Sequence, residues 1–300
     1  MILAAGKGTR LQPLTHITPK VLVPVVNIPV IDRTIDYLRA YGVQEIIINA
    51  HHLHRQIIDY LTYMHNSCRT IEIRIEKDIL GTGGGIKNTE GFWGKEPFIV
   101  VNGDILTNID LSKAYKFHAK QNNLVTMVLH DYPRYNKIAV DGHMNILSIG
   151  PGVRLESALA FTGIHVINPE ILDSIPKNKK YNILDCYREL INQKKPLRGY
   201  LATKHRWIDI GTIQDYIRAN FNLLPHKKKV IGSHCHIDLT AIKEDWVVIG
   251  KGSCVEKGAT VKRSVLWDNV VVKEGVKVID SVVASGVIVK KELYNAVAIK

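Results

Sequence analysis

Leu3 to Pro13 read LAAGKGTRLQP: a short apolar run, then two glycines, a lysine and an arginine within five residues. A glycine turn directly after a strand turns backbone N–H groups toward an anion. Two familiar phosphate loops fail on spacing. A dinucleotide fingerprint needs a third glycine where Leu11 stands. A P-loop needs four residues between its glycines and a following Lys-Ser/Thr, and this stretch has neither. Lys7, Arg10 and Lys20 (in TPKVLVPV) place three cations near the turn. That density suits a triphosphate better than a dinucleotide.

Outward from this loop, apolar runs alternate with helical patterns. MILA, EIIINA, IEIRIE, FIVVNGD and LVTMVL read as strands, and PVIDRTIDYLRAYG, LHRQIIDYLTYM and LSKAYKFHAKQ as helices. Such alternation predicts an α/β fold with a mostly parallel sheet. KIAVDGHMNILSI carries Asp141-Gly142 between apolar runs, a hairpin signal. Further strands and the helix TIQDYIRANFNLL bring this first domain to residue 223. Residues 224–246 are mixed and polar and read as a linker.

From 247 to 300 the period changes. Apolar residues recur six apart at Ile249, Val255 and Val261, at Leu266, Val272 and Val278, and at Val283 and Val289. VVIGKGSCVEKG, SVLWDNVVVKEG and SVVASGVIVKKE superimpose at a 17-residue step. Hexads with small residues at their corners are the mark of a parallel β-helix. With few coils it reads as a cap or assembly module, and implies a homo-oligomer.

The 300 residues carry a net charge of +12, which favours phosphate-bearing ligands. The basic residues are dispersed, and HKKK at 226–229 reads as solvated, so neither nucleic acid nor membrane is expected as a partner. Four cysteines (Cys68, Cys186, Cys235, Cys254) without paired spacing fit a reducing compartment. No membrane-length apolar run and no basic leader before the apolar start appear, so a cytoplasmic protein is expected.

LAAGKGTRLQPLTHITPKVLVPV (Leu3 to Val25) resembles the signature of the sugar-1-phosphate nucleotidylyltransferases. The resemblance continues through EKDILGTGGGIKN, VNGD, FTGIHV, RWIDIGT and the hexapeptide tail, nearest to mannose-1-phosphate guanylyltransferase-like members. It implies a Rossmann-like mixed sheet followed by a short left-handed parallel β-helix. It also implies attack of a sugar 1-phosphate on the α-phosphorus of an NTP, with Mg²⁺ as cofactor and pyrophosphate leaving.

The resemblance places the nucleotide on Leu3, Ala4, Ala5, Gly6, Gly8, Thr9 and Arg10 and on Glu76, Gly81, Thr82 and Gly83. Arg10, Lys20 and Asp104 become the catalytic set, and Asp104 and Asp209 the metal ligands. Each aspartate follows a strand-like run, and two carboxylates suit one hard cation completed by phosphate oxygens. Taken singly, Asp104 reads better as a turn cap and Asp209 as a helix N-cap, and the pair together with the opening loop favours the metal. Glu76 occupies a base-reading position. A carboxylate only accepts hydrogen bonds, which suits guanine's adjacent N1–H and N2–H₂ and favours GTP.

On the sugar-phosphate side stand Gly103, Gly163 and Glu156. Many members carry Glu-Lys-Pro before the FTGIHV strand. This chain has GVRLESALA there, which leaves the sugar open between a manno-configured sugar 1-phosphate and, with UTP or dTTP, another hexose 1-phosphate. A non-catalytic subunit of the same architecture is the remaining alternative. Such proteins lose the arginine, the lysine or an aspartate, and here all are intact. The clusters HHLH (51–54) and HCH (234–236) lack zinc spacing and read as surface.

Overall fold

The computed structural model describes residues 1–64, 70–121, 123–150, 158–226 and 228–300. Its contacts divide the chain into two compact units, Met1–Lys7 with Thr34–Trp207, and Gly8–Arg33 with Ile208–Lys300.

The first unit is built on a nine-stranded mixed sheet. Along its main path the order is Ile146–Ile149, Asn136–Val140, Ala158–Ile167, Phe98–Asn102, Ile2–Leu3, Ile46–Ala50, Ile71–Ile75. Val125–His130 branches from Ala158–Ile167 and carries Leu197–Leu201 beside it. The strand Ile46–Ala50 is buried at every residue, as a parallel strand covered on both faces must be. Its apolar run without alternation has that cause. Ile57 and Leu61, one turn apart, are the buried residues of helix His54–Met64. Ile47, Ile86, Val100, Met127, Cys186 and Tyr187 lie in the unit's main core.

From Ile2–Leu3 the chain steps outward through Ile46–Ala50 to Ile71–Ile75. It then crosses back to place Phe98–Asn102 on the other side of Ile2–Leu3. That reversal between the first strand and Phe98–Asn102 is a topological switch point, where open α/β sheets form their ligand crevice. The Asp141-Gly142 hairpin forms as expected. Asn136–Val140 pairs antiparallel with Ile146–Ile149, and Asp141 Oδ1 accepts from the amides of His143 and Asn145.

The second unit contains the parallel coils. Val265 pairs with Val248 on one side and Val282 on the other, so neighbouring coils are offset by the 17 residues of the sequence repeat. All eight hexad positions named above are buried in one cluster. Earlier pairs such as Ile242 with Thr260 are offset by 18, three full hexads. The step falls to 17 at a register shift between Glu244 and Val247. This shift is the structural form of the slip in the apolar pattern.

The expected linker is corrected here. Lys229–Ile231 and His236–Ile237 already pair parallel with later coils, as does Ile242–Ile249, so the stack begins inside 224–246. Its first coil hides little apolar surface, and Ile231, Leu239 and Ile242 are exposed. The hexad signal is therefore faint where the strands start.

Candidate active site

In the first unit the expected residues gather at the carboxyl edge of the sheet. Leu3 ends the first strand, and its carbonyl accepts from the Gly103 amide at 2.9 Å. This sets the opening loop beside the Gly103-Asp104 turn. Asp104 is half-buried just past Phe98–Asn102. Beyond Leu3, Ala4 and Ala5 are buried and Gly6 and Lys7 exposed.

A polar brace ties this loop to the next two strands. The Ala4 amide donates to Asn49 Oδ1 at 2.8 Å, and Asn49 Nδ2 donates to Glu76 Oε1 at 2.6 Å. The Leu80 amide donates to Glu76 Oε2 at 2.9 Å. Glu76 is 3% exposed. Both its oxygens are engaged inside the fold, at the turn leading into helix Gly81–Lys87. These bonds take one acceptor site on each oxygen of a carboxylate that has about four.

The glycines of that helix are explained by chain packing. The Gly83 and Gly84 amides both donate to Tyr181 O. A Cβ on Gly84 would stand 2.5 Å from Lys179 O, and one on Gly85 2.6 Å from Asn49 Nδ2. Thr82 Oγ1 accepts from the Ile183 amide at 3.0 Å, holding the start of helix Ile183–Asn192. Gly81 has φ +71° and lies against Tyr181 O.

Gly163 sits at an irregularity in the strand Ala158–Ile167, with φ +79°. A Cβ there would meet Ile105 Cδ1 at 2.3 Å and Asn102 Nδ2 at 2.8 Å. Only glycine lets the strand pass this close to the end of Phe98–Asn102. Glu156 lies outside the described residues.

The sequence did not single out an aromatic cluster on the same unit. Trp207 Nε1 donates to Thr162 O at 2.8 Å, next to Gly163. His130 packs edge-on to Trp207 and stacks with Tyr132. His130 Nδ1 lies 3.2 Å from His205 Nε2. Burial, with the neighbouring imidazole adding to it, pushes His130 down to about 4. Tyr132, Trp207, His205, Lys204 and Asp141 line a cleft of about 860 Å³. Tryptophan next to the RWIDIGT aspartate and the aromatics of HDYPRY were the available signals.

In the second unit, Gly8 has φ +63°, and its carbonyl accepts from the Leu11 amide and Thr15 Oγ1. A Cβ on Gly8 would stand 3.3 Å from Lys20 Cβ, so the lysine stem rises directly beside the glycine turn. Thr9 and Arg10 are exposed. A Cβ on Gly211 would stand 2.9 Å from Asp209 Oδ2 and 3.0 Å from Arg10 Nη2. Arg10 and Asp209, 199 positions apart in the chain (209 − 10), thus share one small space. Helix Ile213–Leu223 is capped by Thr212, whose Oγ1 accepts from the Asp215 amide. Asp209 is therefore not spent on capping that helix.

Among the described residues no three His, Cys, Asp or Glu side chains form a metal-holding group. His51 and His54 make local backbone contacts, through His51 Nδ1 to Glu76 O and His54 Nδ1 to His51 O. No helix among the described residues is long and apolar enough to cross a membrane.

Residues 1–225 match the family model described as nucleotidyl transferase. The chain is 30% identical over 249 residues to the UTP–glucose-1-phosphate uridylyltransferase of Synechocystis, covering 76% of this chain and 64% of that enzyme. It is 30% identical over 216 residues to the D-glycero-α-D-manno-heptose 1-phosphate guanylyltransferase of Campylobacter jejuni, covering 72% of this chain and 96% of that enzyme. Among solved structures, HddC from Yersinia pseudotuberculosis complexed with GMP-PN superimposes with a TM-score of 0.62 at 27% identity, covering 74% of this chain and 98% of that one.

Proposed function

This chain belongs to the nucleotidyl transferase family, and from that premise we propose that it transfers a nucleotidyl group from an NTP to a sugar 1-phosphate. The observation that carries the reading is the grouping, within the second unit, of Gly8 with Lys20 and of Arg10 with Asp209. In this reading a phosphate oxygen of the sugar 1-phosphate forms a bond to the α-phosphorus as the bond to the β-phosphate oxygen breaks. The protein does no covalent work, so rate comes from positioning and charge neutralisation.

The Gly6–Gly8 backbone and Arg10 hold the departing β- and γ-phosphates, with Thr9 assisting. Lys20 steadies the phosphates at the reacting centre. By the family resemblance, Asp104 and Asp209 would hold Mg²⁺, and carboxylate oxygens are the hard donors that such an ion takes. When bound there, the ion neutralises charge that develops on the phosphates. The sugar ring rests in the cleft walled by Trp207 and Tyr132, whose lining also offers His130, Asp141, Lys204 and His205 as polar partners.

GTP with a manno-configured sugar 1-phosphate is our first choice. The heptose-phosphate guanylyltransferase relative and the GMP-PN complex support it. UTP with another hexose 1-phosphate is the second reading. It is favoured by the uridylyltransferase relative. The exposed flanks of the coils are proposed to support a homo-oligomer.

A matrix of NTPs against sugar 1-phosphates, followed by Mg²⁺-dependent pyrophosphate release, tests the reading. Turnover with one pairing is expected, and silence across the matrix defeats it. Asp104→Asn is expected to abolish turnover while leaving the thermal midpoint near wild type. Retained turnover removes Asp104 from the catalytic set.

A further inference from the structure

We propose that the C-terminal coils hold the phosphate-gripping segment in its working shape, with Trp267, Tyr216 and Asn27 as positioning residues. The proposal rests on the phosphate roles of Gly8, Arg10 and Lys20 given above. All the residues involved belong to the second unit.

Pro24–Val25 and Ile28–Pro29 pair as a two-residue hairpin directly after the Lys20 turn. Its corner residues, Val26 and Asn27, have φ +51° and +59°. A turn with two left-handed residues favours Asn-Gly, and a β-branched valine there is strained. Such strain persists only where the surroundings over-determine it.

The surroundings are the coils and the helix packed on them. Asn220 Oδ1, fully buried, accepts from the Val26 amide at 2.8 Å, and Asn220 Nδ2 donates to Tyr216 O. Asn27 Nδ2 donates to Ile249 O, a coil carbonyl, at 2.8 Å. Trp267, a coil residue 4% exposed, donates from Nε1 to Tyr216 Oη at 2.9 Å. Tyr216, fully buried, donates in turn to Pro24 O at 2.6 Å. The hairpin passes this restraint on. The Val30 amide donates to Val23 O, and the Val23 amide to Lys20 O. Lys20 Cβ packs against Gly8. A chain of short contacts therefore runs from the coil carbonyl of Ile249 and the Trp267 indole to the glycine turn. The coils serve as scaffold for the grip, whatever else they do in assembly.

Two mild variants test this in the full chain. Trp267→Phe removes the N–H and keeps an aromatic ring. Asn27→Gly removes the bond to Ile249 O and retains a residue at ease with positive φ. Each is expected to lower kcat on the order of 10-fold, as small displacements of catalytic groups do. KM for the sugar 1-phosphate should stay near wild type and the thermal midpoint should fall modestly, since both variants delete an internal hydrogen bond, while amide hydrogen exchange quickens at Gly8–Val25. Wild-type kcat together with wild-type exchange at Gly8–Val25 in both variants overturns the proposal, even where the midpoint falls. If the wild-type chain turns over no substrate pair, the functional reading fails by itself. The exchange measurement then still decides whether the coils restrain the segment.

Discussion

At the scale of single residues, Glu76 is a buried carboxylate tied to the opening loop through Asn49 and to the turn before helix Gly81–Lys87 through Leu80. Its polarity is fixed by a one-way chain. The Ala4 amide commits Asn49 Oδ1 as an acceptor, which commits Asn49 Nδ2 as a donor to Glu76 Oε1, while the Leu80 amide donates to Oε2. Two donors face this side chain in a buried site, and a carboxylate satisfies both. Glutamine cannot. One end of its amide must turn an N–H toward an N–H, leaving a buried donor unpaired at about 1–3 kcal/mol. Glu76→Gln is therefore expected to lower the thermal midpoint and to weaken GTP, UTP and dTTP in parallel, because the opening loop and the turn into helix Gly81–Lys87 both loosen. Titration of each nucleotide by calorimetry checks this. Selective loss of GTP alone would instead support Glu76 as the base reader.

At the scale of elements, the coils carry a corner device. Asp245, Arg263 and Asp280 all have left-handed φ and occupy equivalent corners of successive coils. Arg263 Nε and Nη2 each donate at 2.6 Å to the two Asp280 oxygens, and Nη1 donates to Asp245 Oδ2 at 2.7 Å. Arginine is an unusual choice at positive φ, and the paired carboxylates above and below offset the strain. The Arg263 hydrogen bonds hold both aspartates below their ordinary range. A carboxyl depressed in the folded state lends stability above its unfolded value, near 3.9, and loses it as pH falls through the folded value. Arg263→Gly relieves the backbone and removes the ion pairs together with the packing of the arginine stem. Its thermal midpoint is expected to fall below wild type at pH 7, with the gap closing as pH drops below about 4. An equal gap at all pH values would mean that packing, and not charge, is what Arg263 contributes. The hexad core of these coils was legible because every sixth residue faces one apolar interior. The corner charges were not, because Asp245, Arg263 and Asp280 approach only once coils stack.

At the scale of the whole chain, the strand–helix alternation and the carboxyl-edge position of Asp104 could be read from local patterns. The division into units could not. Residues 8–33 cluster with 208–300 through bonds such as Val26 to Asn220 and Asn27 to Ile249, spanning 194 and 222 positions. No local period encodes contacts at that separation. Net charge, by contrast, is a whole-molecule quantity that the sequence states outright. Forty lysines and arginines against 28 acids leave +12, and the proposed substrates together bring several negative charges. Lys7, Thr9 and Arg10 are exposed, so the field that gathers the triphosphate acts through solvent and is open to screening. The Debye length shrinks from about 10 Å at 0.1 M salt to about 3 Å at 1 M. KM for the NTP is therefore expected to rise steeply with ionic strength at constant free Mg²⁺, with kcat changing far less because phosphates held as proposed would be in direct contact with their partners. Steady-state kinetics across a potassium chloride series measures this. A KM flat in salt would mean that direct contacts alone recruit the nucleotide and that the basic excess serves something other than this substrate.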